Sequence, residues 1–320
     1  QPDPRPSDLV IAVVGPTATG KSQLALSIAQ HLGGADAAEI INADAYQLYK
    51  GMDIGTAKLT PAERGGIPHH QFDVLEVDQE ASVAAYQRHA LADAADITKR
   101  GKRVIWVGGS GLYLRAVTDD FVFPATDASV RERFEGRWQN EGGQLLYSEL
   151  KRLDPLAAAR IQATDRRRVV RALEVIELTG KPYSASLPTY RDRVPTVHLA
   201  LRVERESLRL AIARRTRKMF DAGLIEETRA LLDKGLRNSP TASRAIGYAQ
   251  AIAVIDGQMS QEQACEAVTL ATNQLVSRQL KWFRRDPRVN WIDVELTKQG
   301  YLEPAQARAA YAKAFALLER

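Results

Sequence analysis

The sequence predicts an α/β fold, a parallel sheet flanked by helices, that carries an all-helical insertion. Three observations predict it. The first third alternates strand-sized apolar runs with helical patterns, the rhythm of βαβ units. The octapeptide Gly15-Pro16-Thr17-Ala18-Thr19-Gly20-Lys21-Ser22 fits GxxxxGK[ST] and stands between an apolar run and a helical pattern. That context is what a phosphate-binding loop requires, so the core is P-loop NTPase-like. From residue 123 to residue 196, helical patterns follow one another without a strand between them.

Strands are expected at Leu9–Val14, Glu39–Ala43, Gln71–Val77 and Arg103–Val107, and helices at Lys21–Leu32, Ser82–Arg100 and Gly111–Val117. Gly15, Asp44 and Gly108-Gly109-Ser110 then fall at strand carboxyl ends, where parallel sheets place their ligands. The insertion is expected to hold helices at Asp127–Glu141, Leu145–Leu153, Pro155–Gln162 and Arg167–Leu178. Thr179-Gly180-Lys181-Pro182 closes the last of them, since Gly and Pro end helices. A strand at Val197–Val203 returns the chain to the sheet. Helices follow at Arg205–Ala222, Ile225–Lys234, Ser243–Asp256 and Ser260–Arg284, then a strand at Val289–Ile292 and a helix at Pro304–Glu319. The core is thus residues 1–122 with 197–320, and the insertion is 123–196.

Of the 320 residues, 45% are apolar and 26% charged, as in an ordinary soluble globular protein. No apolar stretch exceeds strand length, so no membrane span is expected. Gln1-Pro2-Asp3-Pro4-Arg5-Pro6 lacks a signal-peptide core and is expected to be a disordered lead-in. Cys265 stands alone, which excludes a disulfide framework and a cysteine zinc cluster and points to a reducing, cytoplasmic setting. The net charge of +5 permits an acidic partner. Nothing demands an oligomer, and a monomer is expected.

Backbone amides of Gly15–Ser22 can cradle an anion. Lys21 adds a point charge on the phosphate, and Ser22 can offer its hydroxyl to Mg²⁺. Asp44, at the end of Glu39-Ile40-Ile41-Asn42-Ala43, is either a Mg²⁺ organiser or a general base. Arg160, Arg166, Arg167, Arg168 and Arg171 crowd the insertion, and Gln274, Arg278, Lys281 and Arg285 recur at helical spacing with Trp282 alongside. Such stretches are solvated faces or grips for nucleic acid. His69-His70 would point to opposite faces of a strand and is taken as structural.

The words after Asp44, Ala45-Tyr46-Gln47-Leu48-Tyr49-Lys50-Gly51-Met52-Asp53-Ile54-Gly55-Thr56-Ala57-Lys58, resemble the signature of tRNA dimethylallyltransferases. Ile67-Pro68-His69-His70, Val107–Leu114, Asp165–Val175, Thr179–Pro182, Met219–Glu227, Ser243–Tyr248 and Arg278–Arg284 match in order. The resemblance runs from Val10 to about Trp291. It implies transfer of a dimethylallyl group from dimethylallyl diphosphate to N6 of adenosine 37 of tRNA, with Mg²⁺ and the P-loop holding the diphosphate. Asp44 matches the catalytic Asp. Thr19 would bond the diphosphate or support that Asp, and Lys21 and Arg215 would stand at the leaving group. For the tRNA anticodon stem-loop, the resemblance implicates Asp44, Ala45, Tyr46, Gln47, Ser110, Arg131, Arg167, Arg168, Arg171, Arg244, Gly247, Tyr248, Arg278, Gln279, Lys281 and Trp282. Ala45 stands where a serine is common. Asn273 and Ser277 stand where Arg and Lys are common, which removes two charges from the stripe. Rival readings are an adenylate isopentenyltransferase acting on free AMP-type nucleotides, a P-loop small-molecule kinase, and an RNA-binding protein with a vestigial loop.

Overall fold

The computed structural model describes residues 9–120, 123–186 and 189–320; the expected lead-in Gln1–Pro6 lies outside them. The chain divides into two compact units, residues 1–120 with 192–320 and residues 121–191.

In the larger unit, β1 (Val10–Val14) feeds the P-loop and α1 (Lys21–Leu32), and β2 (Ala38–Asn42) ends just before Asp44. The edge strand β3 (His69–His70), helix α2 (Val83–Lys99), β4 (Arg103–Gly108) and α3 (Gly111–Thr118) follow. Six parallel strands, completed by β5 (Thr196–Val203) and β6 (Val289–Val294), lie in the order β3-β2-β4-β1-β5-β6. Alternation fixes the faces. Ile11 and Val13 pack with Leu24 and Ile28 of α1, whereas Ala12 and Val14 pack with Tyr86 of α2 and Leu114 of α3.

The smaller unit holds α4 (Ala128–Glu141), α5 (Gly143–Leu153), α6 (Pro155–Ala158) and α7 (Arg166–Thr179) around its own core of Phe134, Leu146, Leu150, Val170 and Leu173. Back in the larger unit, α8 (Arg205–Asp221), α9 (Leu224–Leu232), α10 (Tyr248–Ile255) and α11 (Gln261–Arg284) build a helical layer. Its core includes Phe220, Leu224, Tyr248 and Val268. Helix α12 (Pro304–Leu318) covers the α1 face of the sheet.

Four expectations are corrected. Gln71–Val77 is not a strand: the sheet edge is His69–His70, paired with Ile40 and Ile41. Gln71 (φ 62°) and Asp73 (φ 56°) turn left-handed, which no strand accommodates. Leu75 forms only a single bridge to Tyr49. The helix expected at Ser243–Asp256 begins only at Tyr248, because Gly247 at φ 95° breaks it. The helix expected at Pro155–Gln162 stops at Ala158. The Tyr147 hydroxyl donates to the Ala158 carbonyl at 2.7 Å, the acceptor a further helical turn would use.

The insertion boundary also moves, from 196 to 191. Asp192 belongs to the core because Arg288 holds it. The Arg288 guanidinium donates to Asp192, Asp119 and Asp286 at 2.8 Å each. Asp192 also meets His198 at 2.8 Å and bridges Asp119 in antiparallel fashion. A cation only 15% exposed thus clasps the two points where the chain leaves and re-enters the sheet unit. Removing one partner from such a cluster leaves uncompensated buried charge. Arg288→Ala is expected to cost about 3 kcal/mol, measured as a fall in the urea midpoint without a change in slope.

Candidate active site

The site forms where β1, β2 and β4 end. The P-loop turns through Gly15 (φ 128°), Ala18 (φ 64°) and Gly20 (φ 89°). No side chain caps α1, so the amides of its first turn remain available to an anion. Lys21 is 8% exposed and donates to the Pro16 carbonyl at 3.4 Å. Burial holds its ammonium pKa below the ordinary lysine value, with Asp44 pulling the other way and Arg215 adding to the depression.

Asn42 places Asp44 in space. Its amide oxygen accepts the Asp44 N–H at 2.9 Å, and its amide nitrogen donates to the Asp44 carbonyl at 3.0 Å and to Gln71 O at 2.9 Å. This local side-chain turn is a common use of Asn. Tyr86 donates to the Asn42 carbonyl at 2.5 Å. The Asp44 Oδ1 accepts the Gly109 N–H at 2.6 Å, which leaves Oδ2 for a ligand.

A cavity of about 320 Å³ opens here. Its polar lining includes Asp44, Thr17, Gly109, Ser110 and Arg215, and its apolar lining Ile212, Met219, Ile246, Val268 and Leu275. Arg215 makes no hydrogen bond or ion pair among the described residues. Burial lowers its pKa, and Asp44 opposes that shift. The cavity therefore presents a half-buried cation near the Asp44 carboxylate.

The structure places the other expected residues unevenly. Thr17, Asp44, Ala45, Tyr46, Gln47, Ser110, Arg215, Arg278, Gln279 and Trp282 share the cavity lining. Ser110 Oγ accepts the Ala45 N–H at 3.2 Å. The Trp282 indole lies against Gly111, where a Cβ would come within 2.3 Å of the ring. Ser22 is half-buried in the first turn of α1. Thr19 is corrected in one of its two expected roles, the support of Asp44: its hydroxyl donates to Pro16 O at 2.8 Å and lines a small separate cavity with Leu201 and Leu208. It therefore braces the loop, with its proton committed there, and does not bond Asp44.

Tyr248 and Gly247 are corrected as well. Both are buried, and Tyr248 is 0% exposed, out of reach of any RNA. The Tyr248 hydroxyl donates to Glu227 at 2.6 Å and accepts the Gly55 N–H at 3.1 Å. Burial and the Glu227 charge both push the phenol pKa far up. Glu227 also accepts the amides of Asp53 and Ile54. Sequence reasoning gave Glu227 no role, and nothing in its spacing reveals one. Lys58 was missed in the same way. Its ammonium, 3% exposed, ties Tyr49 O, Asp53 and Asp73 together at 2.6–3.0 Å.

Arg278, Lys281 and Arg244 are exposed and form no ion pair among the described residues. Where Asn273 and Ser277 were counted as lost charges, Arg205 of α8 donates to Asn273 O at 2.8 Å and Ser277 Oγ at 3.2 Å. A guanidinium from another helix thus sits on that part of α11. In the smaller unit, Arg167 is exposed and forms no ion pair among the described residues, and Arg168 has only a 3.5 Å contact with Asp165. Arg131 and Arg171 instead converge on the fully buried Glu174, and Arg171 also donates to Ala125 O and Pro124 O.

A P-loop, a carboxylate at the neighbouring strand end and two desolvated cations define a P-loop α/β protein built to hold a phosphorylated ligand beside an acidic group. Comparison with known proteins narrows that class. The chain belongs to the IPP transferase family, whose profile matches residues 47–286. It is 54% identical over 284 residues to a protein of Nocardia farcinica named tRNA dimethylallyltransferase, covering 88% of this chain and 90% of that one. The relative so named from Mycobacterium tuberculosis is also 54% identical, over 287 residues, covering 88% of this chain and 91% of the relative. The solved tRNA isopentenylpyrophosphate transferase of Bacillus halodurans superposes with a TM-score of 0.68 at 35% identity, covering 98% of this chain and 97% of that one. A solved eukaryotic dimethylallyltransferase acting on tRNA gives a TM-score of 0.79 at 26% identity, covering 97% and 79%.

Tyr248→Phe removes one hydroxyl and leaves the Gly55 amide and Glu227 each short of a partner. It is expected to destabilise the fold by about 1–3 kcal/mol, read from denaturant unfolding. Affinity for tRNA should stay at the wild-type value, measured by fluorescence anisotropy.

Proposed function

We propose that this chain transfers a dimethylallyl group from dimethylallyl diphosphate to N6 of adenosine 37 in tRNA, releasing diphosphate. The observation that carries the reading is one cavity lined by a P-loop residue, Asp44 and Arg215 together with the apolar side chains of Ile212, Met219 and Leu275. The kinship with tRNA dimethylallyltransferases supports it.

As the allylic C–O bond breaks, negative charge grows on the leaving oxygens. The loop amides, Lys21 and Arg215 are fixed in a water-poor site before reaction, where such charges act most strongly. The apolar wall of Ile212, Met219 and Leu275 receives the five-carbon group. The adenine must leave its stack to enter. Asp44 Oδ1 is held by Gly109, so Oδ2 takes the N6 proton as the C–N bond forms. Trp282 offers an aromatic face to an unstacked base. Arg278, Lys281, Arg167 and Arg168 offer charge to tRNA phosphates.

Mg²⁺ suits this donor set. Among the described residues no three His, Cys, Asp or Glu side chains converge on a point, so the chain offers no all-protein cage. Mg²⁺ keeps waters and takes substrate phosphate oxygens, which leaves Ser22 Oγ as the protein's share. Bound there, it would neutralise charge on the leaving diphosphate.

Purified protein is to be incubated with Mg²⁺, labelled dimethylallyl diphosphate and either anticodon stem-loop, AMP or ATP. Label is expected on the stem-loop alone; label on AMP alone, or ATP turnover without prenyl transfer, overturns the reading. EDTA should stop transfer and added Mg²⁺ restore it. Asp44→Ala should lower the transfer rate by about 10²–10⁴-fold while diphosphate still binds. Loss of diphosphate binding in step with rate would make Asp44 a metal organiser.

A further inference from the structure

Gln279 sits on α11 one residue beyond Arg278 and three before Trp282, so its spacing suggests one more contact to RNA. Its carboxamide is already engaged at both ends. Oε1 accepts the Thr17 N–H of the P-loop at 3.0 Å, and Nε2 donates to the Gly109 carbonyl at 3.1 Å. The orientation is dictated by the partners, because a flipped amide would set donor against donor and acceptor against acceptor. Gly109 in turn donates its N–H to Asp44 at 2.6 Å. The approach is close: a Cβ at Gly109 would lie 2.6 Å from Gln279 Nε2 and 2.8 Å from the Gly15 carbonyl.

We propose that Gln279 is a positioning residue that locks the P-loop and the seat of the Asp44 carboxylate into one rigid unit. Thr17 and Gly109 lie on separate loops, after β1 and after β4. The Gln279 amide links them across the mouth of the cavity. The inference rests on the proposed transfer reaction, in which the leaving diphosphate and the accepting carboxylate must keep their spacing through the transition state. A displacement of about 1 Å between such groups can cost about 100-fold in rate. An RNA contact would act differently, because it would change how tightly the acceptor binds and leave the bound complex equally reactive.

Two variants separate these readings. Gln279→Met keeps the length and the packing against Gly109 but removes both hydrogen bonds. Gln279→Glu keeps the acceptor for Thr17 and turns an oxygen toward the Gly109 carbonyl. For both, kcat at saturating donor and stem-loop should fall about 30- to 100-fold. The stem-loop Kd should stay near wild type, and the melting temperature should move little. Amide hydrogen exchange should accelerate at Thr17 in the Met variant and at Gly109 in both. A raised stem-loop Kd with kcat intact would make Gln279 an RNA contact and overturn the proposal. A fall in kcat with exchange at both amides unchanged would overturn it too. If wild-type protein transfers no prenyl group, the reaction fails as a reading, while the exchange at Thr17 and Gly109 still decides whether Gln279 clamps the loops.

Discussion

The ends of β2 and β4 meet at a separation that only glycine permits. A Cβ on Gly108 would fall 2.4 Å from the backbone of Ala43, and the Ala43 N–H donates to Val107 O at 2.7 Å. Because the strands close up there, Gly109 reaches Asp44 and its carbonyl reaches Gln279. If β4 carried any side chain at 108, the carboxylate of β2 would stand away from the P-loop. Cavity shape and charge arrangement both follow from that approach.

Within this frame the charges are deliberately unbalanced. Lys21 and Arg215 are both desolvated, and Asp44 is the anion that interacts with each of them. Two cations against one carboxylate favour entry of a multiply charged anion. Elsewhere the chain pairs its arginines closely, as Arg217 with Glu262 and Arg237 with Asp256. Arg215 at the cavity and Arg278 on α11 form no such pair among the described residues.

The parts of this architecture that depend on local chemistry were legible in the sequence. The P-loop needs its glycines and Lys21 in order, and Asp44 follows Glu39–Ala43, whose paired isoleucines mark a strand. The parts that depend on distant partners were not. Glu227 gathers amides from residues 53–55, more than 170 positions away, and its neighbours in sequence carry no sign of it. Gln279 looks like surface by spacing because its partners belong to other elements. Thr19 lies in the loop, yet a carbonyl three residues back takes its proton. Arg131 and Arg171 advertise charge, and only the fold discloses the buried Glu174 beneath them. The misplaced β3 has a different cause: apolar residues at 74, 75 and 77 suggested a strand, while left-handed turns at Gln71 and Asp73 decided otherwise.

The Arg288 clasp has an implication for how such a chain can change over time. Asp119 and Asp192 are paired directly, and one guanidinium holds both, so the sheet unit is closed whatever lies between them. The intervening residues have a hydrophobic core of their own. Closing a loop costs little more as the loop lengthens, about 0.6 kcal/mol per doubling. The helical unit can therefore be lengthened, shortened or exchanged for another without re-registering a single strand. The residues between the two clasped aspartates are free to drift in length and sequence while the strands outside the clasp keep their register.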